Sequence, residues 1–197
     1  MSGPRKLVRI FISSPSDVAE ERKAAAELIE QELAKREAFR RPLKLDVFRY
    51  DDPHSDTPFQ ANRSAQASVD QRLQSADAEI VVAILWARMG TPVRDPCDPA
   101  KILYQSGTEQ EIVEAFEARR EVLVYFRRGQ PPAPDDDELE EFRKQRQKVR
   151  AFRARLEHGG RGVNDYQDVE DFRRKLEQHL DQHLTRIRDQ SLARGTM

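Results

Sequence analysis

Glu109, Glu111 and Glu114 lie in the run Ser106-Gly107-Thr108-Glu109-Gln110-Glu111-Ile112-Val113-Glu114-Ala115-Phe116, where a helix is expected to leave a loop after a buried strand. In open α/β sheets that is the edge at which ligands bind. A carboxylate held there, Glu111 above all, can stabilise positive charge developing on a ligand or attack it directly. The helix start should keep its pKa low and the group charged. Ser13, Ser14 and Ser16, after another apolar stretch, can offer hydroxyls and amides to a diphosphate near a helix N-terminus. Trp86 can present an aromatic face and Arg88 a charge for phosphate. Asp17, Ser106, Thr108 and Glu109 complete the set of candidate ligand contacts.

Each of these residues also has a structural role open to it. Glu111 fits as a partner of the helix dipole, Glu109 as a solvated cap residue, and Ser13, Ser14 and Asp17 as turn and cap residues. Trp86, closing a buried strand, suits core packing as well as ligand stacking.

The elements that must position these groups are legible in outline. Ala78-Glu79-Ile80-Val81-Val82-Ala83-Ile84-Leu85-Trp86 is apolar without alternation, which predicts a central parallel strand covered on both faces. Lys6 to Ser13, Leu43 to Tyr50 and Glu121 to Phe126 read as further strands, and Val163 to Tyr166 as a fifth at an edge. Helices are expected over about Val18 to Glu37 (capped by Ser16 or Asp17), Ser64 to Ser75, from about Glu111, Asp136 to Glu157, and from a cap at Asp168 onward. The polar stretch from Asp51-Asp52 to about Ser64 reads as a long loop. The Pro- and Asp-rich stretch from Ala87 to Gln105 reads as unstructured, a lid or binding loop. The pattern predicts an α/β three-layer sandwich: a flavodoxin-like, mostly parallel five-stranded sheet, with the last two helices packed beside it.

Bulk composition narrows the function. The 197 residues suit one domain, with a core over about 6–190. Lys plus Arg (34) and Asp plus Glu (35) nearly cancel, so no global field draws the chain to nucleic acid or an anionic membrane. A single cysteine, Cys97, excludes an intrachain disulfide and a cysteine metal cluster, which suits a reducing compartment. No apolar stretch approaches the roughly 18 residues of a membrane span, so a cytoplasmic protein is expected. His179 and His183, four apart, read as a solvated helix face with no third metal ligand near in sequence.

Four blocks taken together carry a resemblance: Val8-Arg9-Ile10-Phe11-Ile12-Ser13-Ser14-Pro15-Ser16-Asp17-Val18 with Glu21-Arg22; Val69-Asp70-Gln71-Arg72-Leu73 with Ala76-Asp77; Leu85-Trp86-Ala87-Arg88-Met89-Gly90-Thr91-Pro92; and Ser106 to Glu111. The chain resembles the TIR-like domains found at the N-terminus of NACHT, NB-ARC and repeat-containing proteins. The resemblance implies the N-terminal module of a longer protein. It also implies a TIR-like fold and either cleavage of NAD or homotypic assembly, in prokaryotic defence or signalling. NAD would be substrate rather than cofactor, no other cofactor is implied, and the domain would act as a homo-oligomer whose protomers complete the pocket. In catalytic relatives a glutamate early in the third helix is essential, and Glu111 in Glu111-Ile112-Val113-Glu114-Ala115 occupies that position. The Trp-Cys pair that often precedes it is replaced by Ser106-Gly107-Thr108, a variant similar to nucleoside deoxyribosyltransferases, whose glutamate attacks the sugar carbon. An enzyme should therefore show Glu111 facing a pocket with Ser13 or Ser14 and Trp86. A non-catalytic interaction module would leave it packed or solvated.

Overall fold

The computed structural model describes residues 5–49, 75 and 77–194. The expected helix over Ser64 to Ser75 apart from Ser75 itself, the Asp51-Asp52 strand exit and most of the Val69 to Asp77 block lie outside the described residues.

Five strands form one sheet: β1 (Lys6–Ser13), β2 (Leu43–Arg49), β3 (Ile80–Leu85), β6 (Glu121–Arg127) and β7 (Asn164–Tyr166), in the order β2-β1-β3-β6-β7. Every pairing in it is parallel. This is the flavodoxin-like order expected, with the direction of strand addition reversing between β1 and β3. All six residues of β3 are buried, as a strand covered on both faces requires.

Strand alternation sends side chains to two layers. On one face Val8, Ile10, Ile12, Val82, Ile84 and Tyr125 pack with α1 (Ala19–Glu27) and α5 (Val169–Arg194) through Ala25, Phe172, Leu176 and Leu180. On the other, Ala83, Leu85, Val124 and Phe126 meet α3 (Gly107–Glu117) and α4 (Leu139–His158) through Ile112, Val149 and Phe152. The last two helices therefore cover opposite faces of the sheet, α4 on one and α5 on the other. The split follows from their connection through β7, which lets the chain cross the sheet edge between them.

The structure revises two other expectations. The first helix is not continuous. After α1 the chain makes a wide turn over Leu28–Glu32 and a tight one over Leu33–Lys35, breaks at Arg36 and resumes as the short α2 (Glu37–Arg40). The break returns Phe39 to the core, and Arg36 is held there by Glu177 and Asp181 of α5. The stretch after β3 is ordered too: β4 (Val93–Arg94) and β5 (Ile102–Tyr104) pair antiparallel as a small hairpin. Asx-type contacts close its tip, with the Cys97 and Ala100 amides donating to Asp95 and Asp98. Those side-chain contacts explain why proline and aspartate content pointed to a loop.

Among the described residues no helix is long and apolar enough to cross a membrane.

Candidate functional site

At the carboxyl ends of β1 and β3, where the strand order reverses, two residues remote in sequence meet. Ser13 closes β1 on the same face as Phe11, toward α3, and both are fully buried. Ser13 Oγ donates to Oε2 of Glu111 at 2.5 Å. Glu111 lies in the second turn of α3 and is 2% exposed.

Burial overrides the helix dipole at this carboxyl. Loss of solvent raises its pKa to about 8, against the lowering effect of the Ser13 hydrogen bond, and the neighbouring Glu114 pushes it the same way as burial. The expected low pKa is thus corrected: burial pushes the Glu111 carboxyl up to about 8, which favours its protonated form at neutral pH. The dipole falls off within the first turn and cannot replace a lost hydration shell.

The start of α3 is fixed independently. Ser106 is its N-cap, its Oγ accepting the Glu109 amide at 3.0 Å, while Glu109 Oε2 reaches back to the Gln105 amide at 2.6 Å. This reciprocal arrangement is a close variant of the capping box. Glu109 also pairs with Arg155 of α4 and is 6% exposed, so it caps from a buried position, not a solvated one. Thr108 is buried in the same turn.

The β1 exit is pinned by α1. Arg22 Nη1 donates to Ser14 Oγ at 2.7 Å and to the Pro15 carbonyl at 3.1 Å. Asp17 does not cap the helix; its Oδ2 accepts the amides of Ala87 at 2.8 Å and Arg88 at 2.9 Å, tying the β1 exit to the β3 exit. The next two amides, Met89 and Gly90, donate to Gln145 Oε1 of α4 at 2.9 and 3.1 Å. Two side chains, one from each side of the sheet, thereby hold four consecutive amides. Gly90 (φ 106°) sits against the α3 cap, where an added Cβ would lie 3.3 Å from Ser106 Cβ.

Trp86 is not part of this assembly. Strand alternation places it with Ile84 on the α1 and α5 face, opposite Glu111. Its ring is covered by the Arg127 guanidinium, 4.1 Å from the centroid. Its Nε1 is buried and has no acceptor among the described residues. Arg127 in turn pairs at 2.9 Å with Glu21, 1% exposed, which also accepts the Tyr166 hydroxyl at 3.2 Å. Among the described residues Glu111 and Trp86 therefore share no pocket, since they lie on opposite faces of the sheet. Arg88 is exposed and opens onto a groove of about 490 Å³ with Pro15, Ser16, Gly90, Thr91, Glu141, Gln145 and Lys148 among its walls.

Gln145, Arg127 and Lys148 escaped the sequence reading. For Gln145 a signal existed: it extends the buried stripe of Val149, Phe152 and Leu156 by one turn, and a buried amide on such a stripe must find partners. His179 does not stand on a solvated face, since its Nδ1 meets the Tyr125 hydroxyl at 2.7 Å. Among the described residues no cluster of His, Cys, Asp or Glu is placed to hold a metal ion.

Comparison with curated proteins returned no match. Among solved structures, a Clostridium botulinum CMP N-glycosidase, BcmB, aligns over 87% of this chain and 98% of its own, at 14% identity and a TM-score of 0.40. A likeness so distant speaks to neither substrate nor mechanism. Three of the four sequence blocks, at β1 and its exit, after β3, and at the start of α3, converge on one edge of the sheet, and a family profile described as a domain of unknown function spans all three, from residue 9 to 181. The chain belongs to that family, DUF4062.

Proposed function

We propose that this domain cleaves the N-glycosidic bond between a ribose and a base, with NAD as the substrate. The carrying observation is the Ser13–Glu111 pair, 2.5 Å apart at the switch point of the sheet. The TIR-like motif blocks support the choice of NAD. In the reaction, the bond from C1′ to the nicotinamide nitrogen breaks and its electron pair goes to the ring, which leaves neutral and needs no general acid. Water adds to C1′ and loses a proton. Positive charge spreads over C1′ and the ring oxygen in the transition state, and a carboxylate facing it stabilises it.

Glu111 supplies that carboxylate on demand. Burial favours its protonated form at rest. A cationic nicotinamide ring nearby favours the ionised form, so binding expels the proton. Ser13 holds Oε2 through the change. A charge uncovered in a desolvated site acts more strongly on the transition state than one surrounded by water.

The test is nicotinamide release from NAD by the domain, concentrated or artificially clustered because assembly is expected to complete the pocket. Glu111→Ala and Glu111→Gln are assayed alongside. Release by the wild type, abolished in both folded variants, supports the reading. Its absence from a clustered wild type overturns NAD as substrate, and nucleosides are then assayed for base release. A second reading, a non-catalytic interaction module in signalling, is favoured by the packing of Glu111 at 2% exposure and by the separation of Trp86.

A further inference from the structure

The groove beside the β3 exit has the character of an anion site. Its walls carry two cations, Arg88 and Lys148, neither with a hydrogen-bond or ion-pair partner among the described residues. Ser16 and Thr91 add hydroxyls. The one wall carboxylate, Glu141, accepts from Gln145 Nε2 at 2.8 Å, so the walls keep a surplus of one positive charge. The volume, about 490 Å³, falls within the range of small-molecule sites, roughly 300–1,000 Å³.

The backbone explains why side chains must do this work. An anion at a strand exit is often met by successive amides. Here Ala87, Arg88, Met89 and Gly90 all donate to Asp17 or Gln145. That bonding stiffens the loop from which Arg88 projects. Gln145 and Lys148, three apart on α4, share one helical face, so the residue that holds the loop also sets the second cation beside it. Pro15, at the groove wall, is two residues from Ser13, no more than about 7 Å along the chain. Gly90, on the same wall, touches the α3 cap.

We infer that this groove binds the diphosphate of the nucleotide substrate, through Arg88 and Lys148, while Gln145 positions the loop. The identity of the substrate rests on the N-glycosidic reading, but the anion site does not. The test is calorimetric titration of the whole chain with inorganic pyrophosphate and with ADP, for the wild type, Glu111→Gln, Arg88→Ala and Lys148→Ala. Pyrophosphate and ADP should bind the wild type and Glu111→Gln equally. Each cation variant should bind about ten-fold more weakly, about 1.4 kcal/mol. Affinity should also fall with added salt. Both cationic side chains lack partners among the described residues, so these variants should melt like the wild type. No binding, or binding indifferent to both substitutions, overturns the inference. Binding that depends on both cations, without any nicotinamide release, keeps the anion site and overturns the NAD reading alone.

Discussion

Replacing Glu111 by Gln should make the protein more stable, by an amount that grows with pH. Glutamine keeps the size of the side chain and an oxygen to accept from Ser13, but cannot ionise. In the wild type the carboxyl has an ordinary value of 4.5 and is pushed up to about 8 by burial. Between those values the folded chain keeps a proton that the unfolded chain has lost. Wild-type stability therefore falls by about 1.4 kcal/mol per pH unit through this window and levels off above pH 8. The full differential is about 5 kcal/mol, large against the roughly 5–15 kcal/mol that holds a domain folded. Because Glu111 is 2% exposed, solvent screening takes little from it. Titrating groups that do not interact with Glu111 are common to both proteins and drop out of the difference, while Glu114, which does interact, adds to it only as the smallest of the three influences on this carboxyl. Urea unfolding at pH 5, 6, 7, 8 and 9 measures it. With slopes of about 1–3 kcal/mol per molar, a gap of 3 kcal/mol moves the midpoint by 1 M or more. A gap that stays flat from pH 5 to 8, or a wild type more stable than Glu111→Gln at pH 8, refutes the argument. If turnover is lost as stability rises, the buried carboxyl is a stability cost retained for function.

Two further substitutions test how the edge is built. Gly90→Ala should destabilise by about 1–3 kcal/mol, because φ is 106° and the new Cβ would press on Ser106; thermal unfolding measures it, and an unchanged melt refutes the packing of this loop on α3. Arg127→Met should cost about 3–5 kcal/mol, since it leaves Glu21 buried at 1% exposure without its cation and removes the cover from Trp86. Denaturant unfolding measures that loss, and Glu21→Gln in the same background should recover most of it.

Strand and helix order was readable because apolar runs such as Ile80 to Leu85 report burial by composition, a local property. The presence of a helix carrying Glu111 was readable too, though expected from about Glu111, whereas it starts at Gly107, where the Ser106 side chain caps the Glu109 amide. The hairpin between β3 and α3 was not, because its two short strands are held by side-chain turns and by pairing with each other. Singling out Glu111 followed from its place on a helix after a buried strand and from the resemblance drawn from the sequence to TIR-like domains. Its protonation did not follow, because desolvation depends on what packs over a side chain and the helix start argues the other way. The placement of Trp86 turned on a parity that counting along β3 almost supplies. Ile84 and Trp86 share a face, but which face meets Glu111 is decided only when Ser13, 98 residues from Glu111, pairs with it across the sheet edge. Sequence alone determined which segments are buried and that a helix carries the acid. The tertiary structure decided which side of the sheet each side chain serves and which amides are already taken, because both depend on pairing residues from different elements.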